Sequence, residues 1–287
     1  MTRESVRTAP VILDGTRLAR ERTDMIAARA AAVRERRGRP PRLLLLAFAE
    51  PDGNVPHIAR KLRACERAGI DPVSVLLPAH TTTDAAVGAL EDRLSGSSID
   101  GVFAQFPFPE HIDDDAIAAA IPPALDVDIM TRERIDAYMS DADAFPPVTV
   151  AAGLLLLEAY GVGVSDRTGI VIAEESPFAQ MFRIAFARAG ARMEPLLAPD
   201  APDLPARLGR AELVIAAAAR PGIISSTQLS DGCVAIDVGY FNPGGRGDID
   251  LSGGVSHLGA IAPVPGGIGP MTVSALLERV VLFAEGT

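Results

Sequence analysis

The chain has 287 residues, 48% of them hydrophobic and 22% charged, enough for two domains of ordinary globular composition. A net charge of −10 at pH 7 opposes binding to nucleic acid or to an anionic membrane surface. The longest apolar runs, residues 43–49 and 153–157, are too short to cross a bilayer, and no N-terminal segment has signal-peptide order. A cytoplasmic protein acting on a small molecule is expected.

Short apolar runs alternate with amphipathic stretches, the pattern of a parallel α/β protein. A helix is expected over residues 16–37, a strand over 43–48, and a helix over 57–69 with Pro56 in its first turn and Gly69 at its stop. Next come a strand at 73–77, a helix at 85–94 and a strand at 101–106. After the loop-like residues 141–147 the pattern gives a helix at 150–160, a strand at 169–173 and a helix at 178–189. Strands at 212–217 and 233–238 and a helix at 273–284 complete it. The loop at 141–147 and the Gly/Pro-rich stretch 263–270 mark boundaries. They give a first domain of residues 1–148 plus 268–287 and a second of residues 149–267. Cys65 and Cys233 lie in apolar contexts and read as buried reduced thiols. The four histidines lack metal-ligand spacing, so no metal is expected.

Among 27 basic residues there is one lysine, Lys61. Arginine stays protonated at any working pH, whereas a desolvated lysine can lose its proton and serve as a base. His57, Lys61 and Cys65 recur at every fourth position and share a helix face less charged than the one bearing Arg60, Arg63 and Glu66. Burial, and a protonated His57 one turn away, would lower the Lys61 pKa. A lysine snorkelling from a domain edge fits the same spacing.

Gln105 and Asp128 fall where strand ends are expected, the region in which open α/β sheets collect ligands. A neutral amide can hold a lysine amine without locking it in the charged form, and a carboxylate can grip an N–H-rich heterocycle. A turn-capping glutamine and a loop aspartate are the plainer readings. The run Ala262-Pro-Val-Pro-Gly-Gly-Ile-Gly-Pro-Met-Thr272 specifies an unusual backbone with exposed N–H groups, suited to a ligand-binding loop. Thr272 is the expected N-cap of the last helix.

These pieces together resemble the bifunctional methylenetetrahydrofolate dehydrogenase/methenyltetrahydrofolate cyclohydrolase family. The likeness runs from Val11-Ile-Leu-Asp-Gly15 through Lys61-Leu-Arg-Ala-Cys-Glu66, Asp100-Gly-Val-Phe-Ala-Gln-Phe-Pro107 and Asp126-Val-Asp128. It continues through Arg220-Pro-Gly222 and Ala235-Ile-Asp-Val-Gly239 to the loop at 263–272. The resemblance implies two α/β domains flanking a cleft, the second a Rossmann-like doubly wound parallel sheet, in a homodimer. It implies Lys61 as acid/base catalyst, Gln105 as the group that tunes it, and Asp128 as the pterin-binding residue. By the same resemblance Pro263, Val264, Pro265, Gly266, Gly267 and Met271 help hold the folate.

The departures are specific. His57 stands where the family has a tyrosine stacked on the pterin, Ala49 and Asn54 replace a glycine and a serine, and Ile129 replaces the glycine after the pterin-binding aspartate. The family's glycine-rich phosphate loop is here Ala173-Glu174-Glu175-Ser176, with two carboxylates where a helix N-terminus should meet an anion. Residues 194–200 offer no basic group for a 2′-phosphate. On these grounds no cofactor is expected to bind tightly, NADP included, and dehydrogenase activity is expected to be lost. Hydrolysis of methenyltetrahydrofolate by Lys61, with His57 and Gln105 beside it, is the leading expectation. A repurposed enzyme acting on a specialised metabolite, a non-catalytic folate-binding homologue and a conventional bifunctional NADP enzyme are the alternatives.

Overall fold

In the computed structural model, residues 9–49, 56–241 and 245–286 are described, with the side chains of Pro56 and His57 excepted. Asn54 lies outside the described residues, and of His57 only its place in a helix is known. The chain divides into two compact units. Unit 1 holds residues 1–19 and 149–272; unit 2 holds residues 20–148 and 273–287. The first nineteen residues, expected with the first domain, therefore group with unit 1, and so does the loop at 263–272.

Unit 2 is built on a parallel sheet of β2 (Arg42–Phe48), β3 (Asp71–Leu77) and β4 (Gly101–Ala104), in the order β3-β2-β4. Leu43 through Leu46 are wholly buried, as a parallel strand covered on both faces requires. Leu44, Leu46, Val75, Val102 and Ala104 pack with Leu90 of α3 (Thr83–Ser95) and Ile117 of α4 (Asp114–Ala119). The crossover from β2 to β3 is α2 (Pro56–Arg67), and α5 (Arg132–Ser140) follows later. Asp113 and Thr131 cap α4 and α5 with their side-chain oxygens. Most of α1 (Gly15–Arg37) and α9 (Ile268–Glu285) also belongs to unit 2.

Unit 1 carries a six-stranded parallel sheet in the order β1-β11-β9-β7-β5-β6. Its strands are β1 (Val11–Ile12), β5 (Thr168–Ile172), β6 (Arg192–Met193), β7 (Leu213–Ala216), β9 (Val234–Asp237) and β11 (Ala260–Ala262). A side pair, β8 (Ile224–Ser225) with β10 (Ile249–Asp250), lies apart from it. Helices α6 (Val148–Ala159), α7 (Pro177–Arg188) and α8 (Leu204–Leu208) complete the α/β alternation. This is the Rossmann-like doubly wound arrangement expected from the sequence. The two- and three-residue strands were not expected, because runs that short carry no periodicity. The last helix starts at Ile268, a turn before its expected start. Thr272 is thus inside α9, donating its hydroxyl to the Ile268 carbonyl at 3.2 Å, and is not the N-cap. No helix among the described residues is long and apolar enough to cross a membrane.

The outer end of β4 is anchored by Asp100, whose side chain is 3% exposed. Its carboxylate accepts from Arg37 Nη1 at 2.8 Å, Arg39 Nη1 at 2.6 Å and Nη2 at 3.0 Å, and the Arg42 N–H at 2.8 Å. Burial alone would raise the Asp100 pKa, but the hydrogen bonds from Arg39, Arg37 and Arg42 outweigh it and hold the group below the usual carboxylate range. Asp100→Ala strands two half-buried guanidinium groups and is expected to cost about 2–3 kcal/mol at pH 7. A folded pKa below the unfolded one means that this contribution is full above about pH 4 and fades as pH falls through the folded value. Urea unfolding of both proteins at pH 7 and pH 2.5 checks this: the difference should be smaller at the second pH than at the first.

Candidate active site

Pro56 opens α2 at a position where its missing N–H costs nothing, and α2 carries Lys61 on its inner face. Lys61 is 6% exposed and Cys65, one turn on, is fully buried. The Lys61 Nζ donates to Gln105 Oε1 at 2.5 Å and stands 4.9 Å from the centre of the Phe103 ring. Gln105 is the first residue beyond β4, and its own N–H is held by the Leu46 carbonyl at 2.8 Å. Its side-chain Nε2 donates to the Phe106 carbonyl at 2.6 Å, which leaves Oε1 turned towards the lysine. Burial lowers the Lys61 pKa to about 8, the charge of Arg60 adds to the fall, and Asp128 opposes it. The partner that holds the amine is neutral, so the bond does not restore the lost charge.

Asp128 follows the fully buried Asp126, whose carboxylate accepts from the N–H groups of Asp128 (3.2 Å), Met130 (2.8 Å) and Thr131 (2.7 Å). That clamp fixes a turn in which Ile129, a β-branched residue 4% exposed, has φ of 60°. The backbone shape that suits glycine is therefore kept, at a strain of about 1–3 kcal/mol. The Asp128 Oδ1 accepts the Val148 N–H at 3.0 Å, from the first residue of α6. Asp128 is pushed up to about 6, chiefly by burial; the Val148 bond, Arg279 and Lys61 oppose the rise and Asp126 reinforces it. Lys61, Gln105 and Asp128 thus belong to one electrostatic cluster within unit 2. Arg279, which sequence reasoning missed, belongs to it too. Its signal was available, since the charged pair Glu278-Arg279 interrupts the apolar run from Ala275 to Phe283.

In unit 1 the loop at 263–272 contains a cis Val264–Pro265 bond, and Gly266 has φ of 105°. The Gly267 N–H closes a turn on the Pro263 carbonyl at 2.8 Å, and the Gly266 carbonyl accepts from Thr16 N–H at 3.0 Å. A Cβ on Gly15 would overlap the Gly267 carbonyl, and one on Gly267 would crowd the Pro263 carbonyl, so both glycines are sterically required. Pro265 is exposed and Pro263, Val264 and Gly266 are half-buried, whereas Gly267 and Met271 are buried. The last two shape the loop from within.

The loop after β5 corrects the expectation drawn from its charges. Glu174 pairs with Arg220 at 2.6 Å, and Glu175 accepts from Gln180 Nε2 at 2.7 Å. The two carboxylates are not bare charges at the start of α7. Ser176 caps that helix by accepting from the Ala179 N–H at 3.2 Å. Arg220 is itself placed by the turn at Ala218–Arg220, where Ala219 has φ of 52° and the buried Asp248 accepts the N–H groups of Ala218 (2.6 Å) and Arg220 (2.8 Å). Asp237, at the end of β9, in turn accepts from Gly239, Asp248 and Ile249, and burial pushes it up to about 7. Basic groups absent from residues 194–200 arrive from further along the chain. Glu194, just beyond β6, meets Arg207 at 2.6 Å and Arg210 at 3.8 Å. Ser176 at the start of α7, Arg220 beside Glu174, and Arg207 and Arg210 beside Glu194 are unit 1 groups with the chemistry to meet an anionic dinucleotide. Among the described residues, no group of acidic, histidine or cysteine side chains could hold a metal ion.

Comparison with known proteins bears on both units. Residues 13–128 match the tetrahydrofolate dehydrogenase/cyclohydrolase catalytic domain, and residues 147–287 match its NAD(P)-binding domain. The chain is 33% identical over 270 residues to bifunctional protein FolD 1 of Streptomyces avermitilis, covering 94% of this chain and 93% of that protein. The crystal structure of the bifunctional FolD enzyme of Campylobacter jejuni superposes with a TM-score of 0.85 at 26% identity, over 97% of this chain and 99% of that one. The Trypanosoma brucei enzyme, solved in complex with NADP cofactor and inhibitor, shares the fold with a TM-score of 0.87 at 24% identity, over 97% and 98% of the two chains. The NAD(P)-binding match over residues 147–287, with the NADP complex of a protein of the same fold, overturns the expectation that no cofactor binds tightly, NADP included. From end to end, the chain belongs to the tetrahydrofolate dehydrogenase/cyclohydrolase family.

Proposed function

We propose that the protein interconverts one-carbon units carried on tetrahydrofolate and that Lys61 is the acid/base group for hydrolysis of 5,10-methenyltetrahydrofolate to 10-formyltetrahydrofolate. The observation that carries this reading is the buried Lys61 amine, held by a neutral amide and lowered to about 8. As a free amine, Lys61 takes a proton from the water that adds to the methenyl carbon. As an ammonium, it returns that proton to N5 as the bond between carbon and N5 breaks. The hydroxyl proton of the tetrahedral intermediate leaves to solvent, so one water enters and one proton departs. Gln105 orients the amine in both states, since its oxygen accepts from either. Asp128, ionised above about pH 6, grips the N–H edge of the pterin. His57 is assigned beside Lys61 on the strength of the helix spacing alone, and Pro263, Val264, Pro265 and Gly266 as substrate-side backbone.

The NAD(P)-binding match to unit 1 supports the companion step, oxidation of the methylene to the methenyl form. A nicotinamide dinucleotide, held by the start of α7, Arg220 and the Arg207–Arg210 pair, would supply the hydride acceptor. The conventional bifunctional enzyme is therefore the reading favoured over a hydrolase alone.

Two measurements test this. Lys61→Arg keeps the positive charge but cannot give up its proton, so kcat for methenyl hydrolysis should fall by about 10²–10⁴-fold with the protein still folded. Because the Lys61 pKa is lowered, the free amine accumulates as pH rises, and wild-type kcat should climb through about pH 8. Retained hydrolysis in Lys61→Arg, or the same climb in that variant, contradicts the assignment. For the second step, Glu174→Gln removes a carboxylate from the dinucleotide side and should tighten NADP binding several-fold by titration calorimetry, while Arg220→Gln should weaken it. Unchanged affinity in both would remove this loop from the nucleotide site.

A further inference from the structure

Arg279 sits on α9 with a residue exposure of 6%, an unusual place for a guanidinium. Three groups hold it. Its Nη1 donates to the Val127 carbonyl at 3.2 Å and to the Pro146 carbonyl at 2.8 Å. Its guanidinium carbon lies 4.9 Å from the centre of the Phe145 ring. Both carbonyls are neutral, so the full positive charge is left to act on its surroundings. Val127 immediately precedes Asp128, and Pro146 lies two residues before Val148, whose N–H binds the Asp128 carboxylate. The guanidinium therefore braces both backbone segments that fix Asp128.

We propose that Arg279 is a positioning residue of the active site, supplying the counter-charge for the half-buried Asp128 carboxylate while tying down the two segments that aim it. The inference rests on the reading of Asp128 as a substrate-gripping group. Asp128 needs such support because Asp126 lies two residues away and pushes against its ionisation. Lys61 cannot give it steadily, because its own charge comes and goes in the reaction. Arg279 keeps its charge throughout, even though burial pulls its pKa down to about 10. The charged groups around the pair are Asp126 and Lys61 on the Asp128 side, and Arg134, Asp126 and Glu278 on the Arg279 side.

The test is the pH dependence of kcat/KM for methenyl hydrolysis in wild type, Asp128→Asn, Arg279→Gln and Arg279→Lys. Wild type should lose efficiency as pH falls through about 6, the value at which Asp128 takes up a proton. Removing the nearby positive charge in Arg279→Gln should move that acidic limb upward by about one pH unit, mainly in KM, with efficiency recovered at higher pH. Arg279→Lys should restore the limb to within about 0.3 unit of wild type. If the glutamine variant does not fold, Arg279→Met, which keeps the apolar stem, is the neutral substitute. A limb that stays in place while efficiency drops evenly at every pH would overturn the proposal and leave the Asp128 reading standing. A wild-type profile identical to that of Asp128→Asn would overturn both.

Discussion

A lysine amine removed from water and handed to an uncharged acceptor is the contact on which the rest of unit 2 converges. Desolvation weakens the ammonium, and a carboxylate in the place of Gln105 would give the stability back and leave the amine protonated. The bond from Lys61 to Gln105 therefore needs a backbone that delivers a neutral amide to this spot. That backbone is β4, whose Ala104 pairs with Leu46 of β2 and whose next residue is clamped by the Leu46 carbonyl. At its other end β4 is fastened by the arginines on Asp100. The hydrophobic sheet and the polar anchor fix one strand end, and the strand end fixes the Lys61 amine.

Around this contact the cluster is arranged so that no buried charge goes uncompensated. Asp126 spends its lone pairs on three backbone N–H groups and so shapes the turn at Ile129. Asp128 takes the amide at the start of α6, where the helix field also favours an anion. Arg279 supplies the opposing charge. In unit 1 the same logic recurs without a lysine: Asp248 and Asp237 satisfy the backbone of the turn that carries Arg220, and Arg220 neutralises Glu174. Each acidic group that looks destabilising in isolation has a local partner.

How much of this could be read in the sequence follows from range. Lys61 stood out because every other cation is arginine, and its helix face is set by a spacing of four residues. The strands at 43–48 and 73–77 declare themselves through continuous apolar runs, and the Gly/Pro loop through its composition. What failed was contact across distance. Glu174 and Arg220 are 46 positions apart, Glu194 and Arg207 are 13 apart, and Val127 and Arg279 are 152 apart. No local pattern reports such pairs, so two glutamates read as bare charges although one has an arginine partner and the other a glutamine amide, and the NAD(P)-binding domain read as unable to hold NADP. Ile129 is a different case, because the sequence reports that a glycine is missing but not that the backbone keeps φ positive in a turn held by the Asp126 carboxylate.

The central claim is that Lys61 is a tuned amine, and its uniqueness makes this directly measurable. Protein labelled only in lysine side chains gives a single Nζ and Cε signal by NMR, free of overlap from any other residue. Titrating that signal should give a midpoint near 8, and the midpoint should fall further in Asp128→Asn, because the carboxylate supports the ammonium. A midpoint at or above the 10.5 of an ordinary lysine would show a solvated or carboxylate-paired ammonium and would contradict the account.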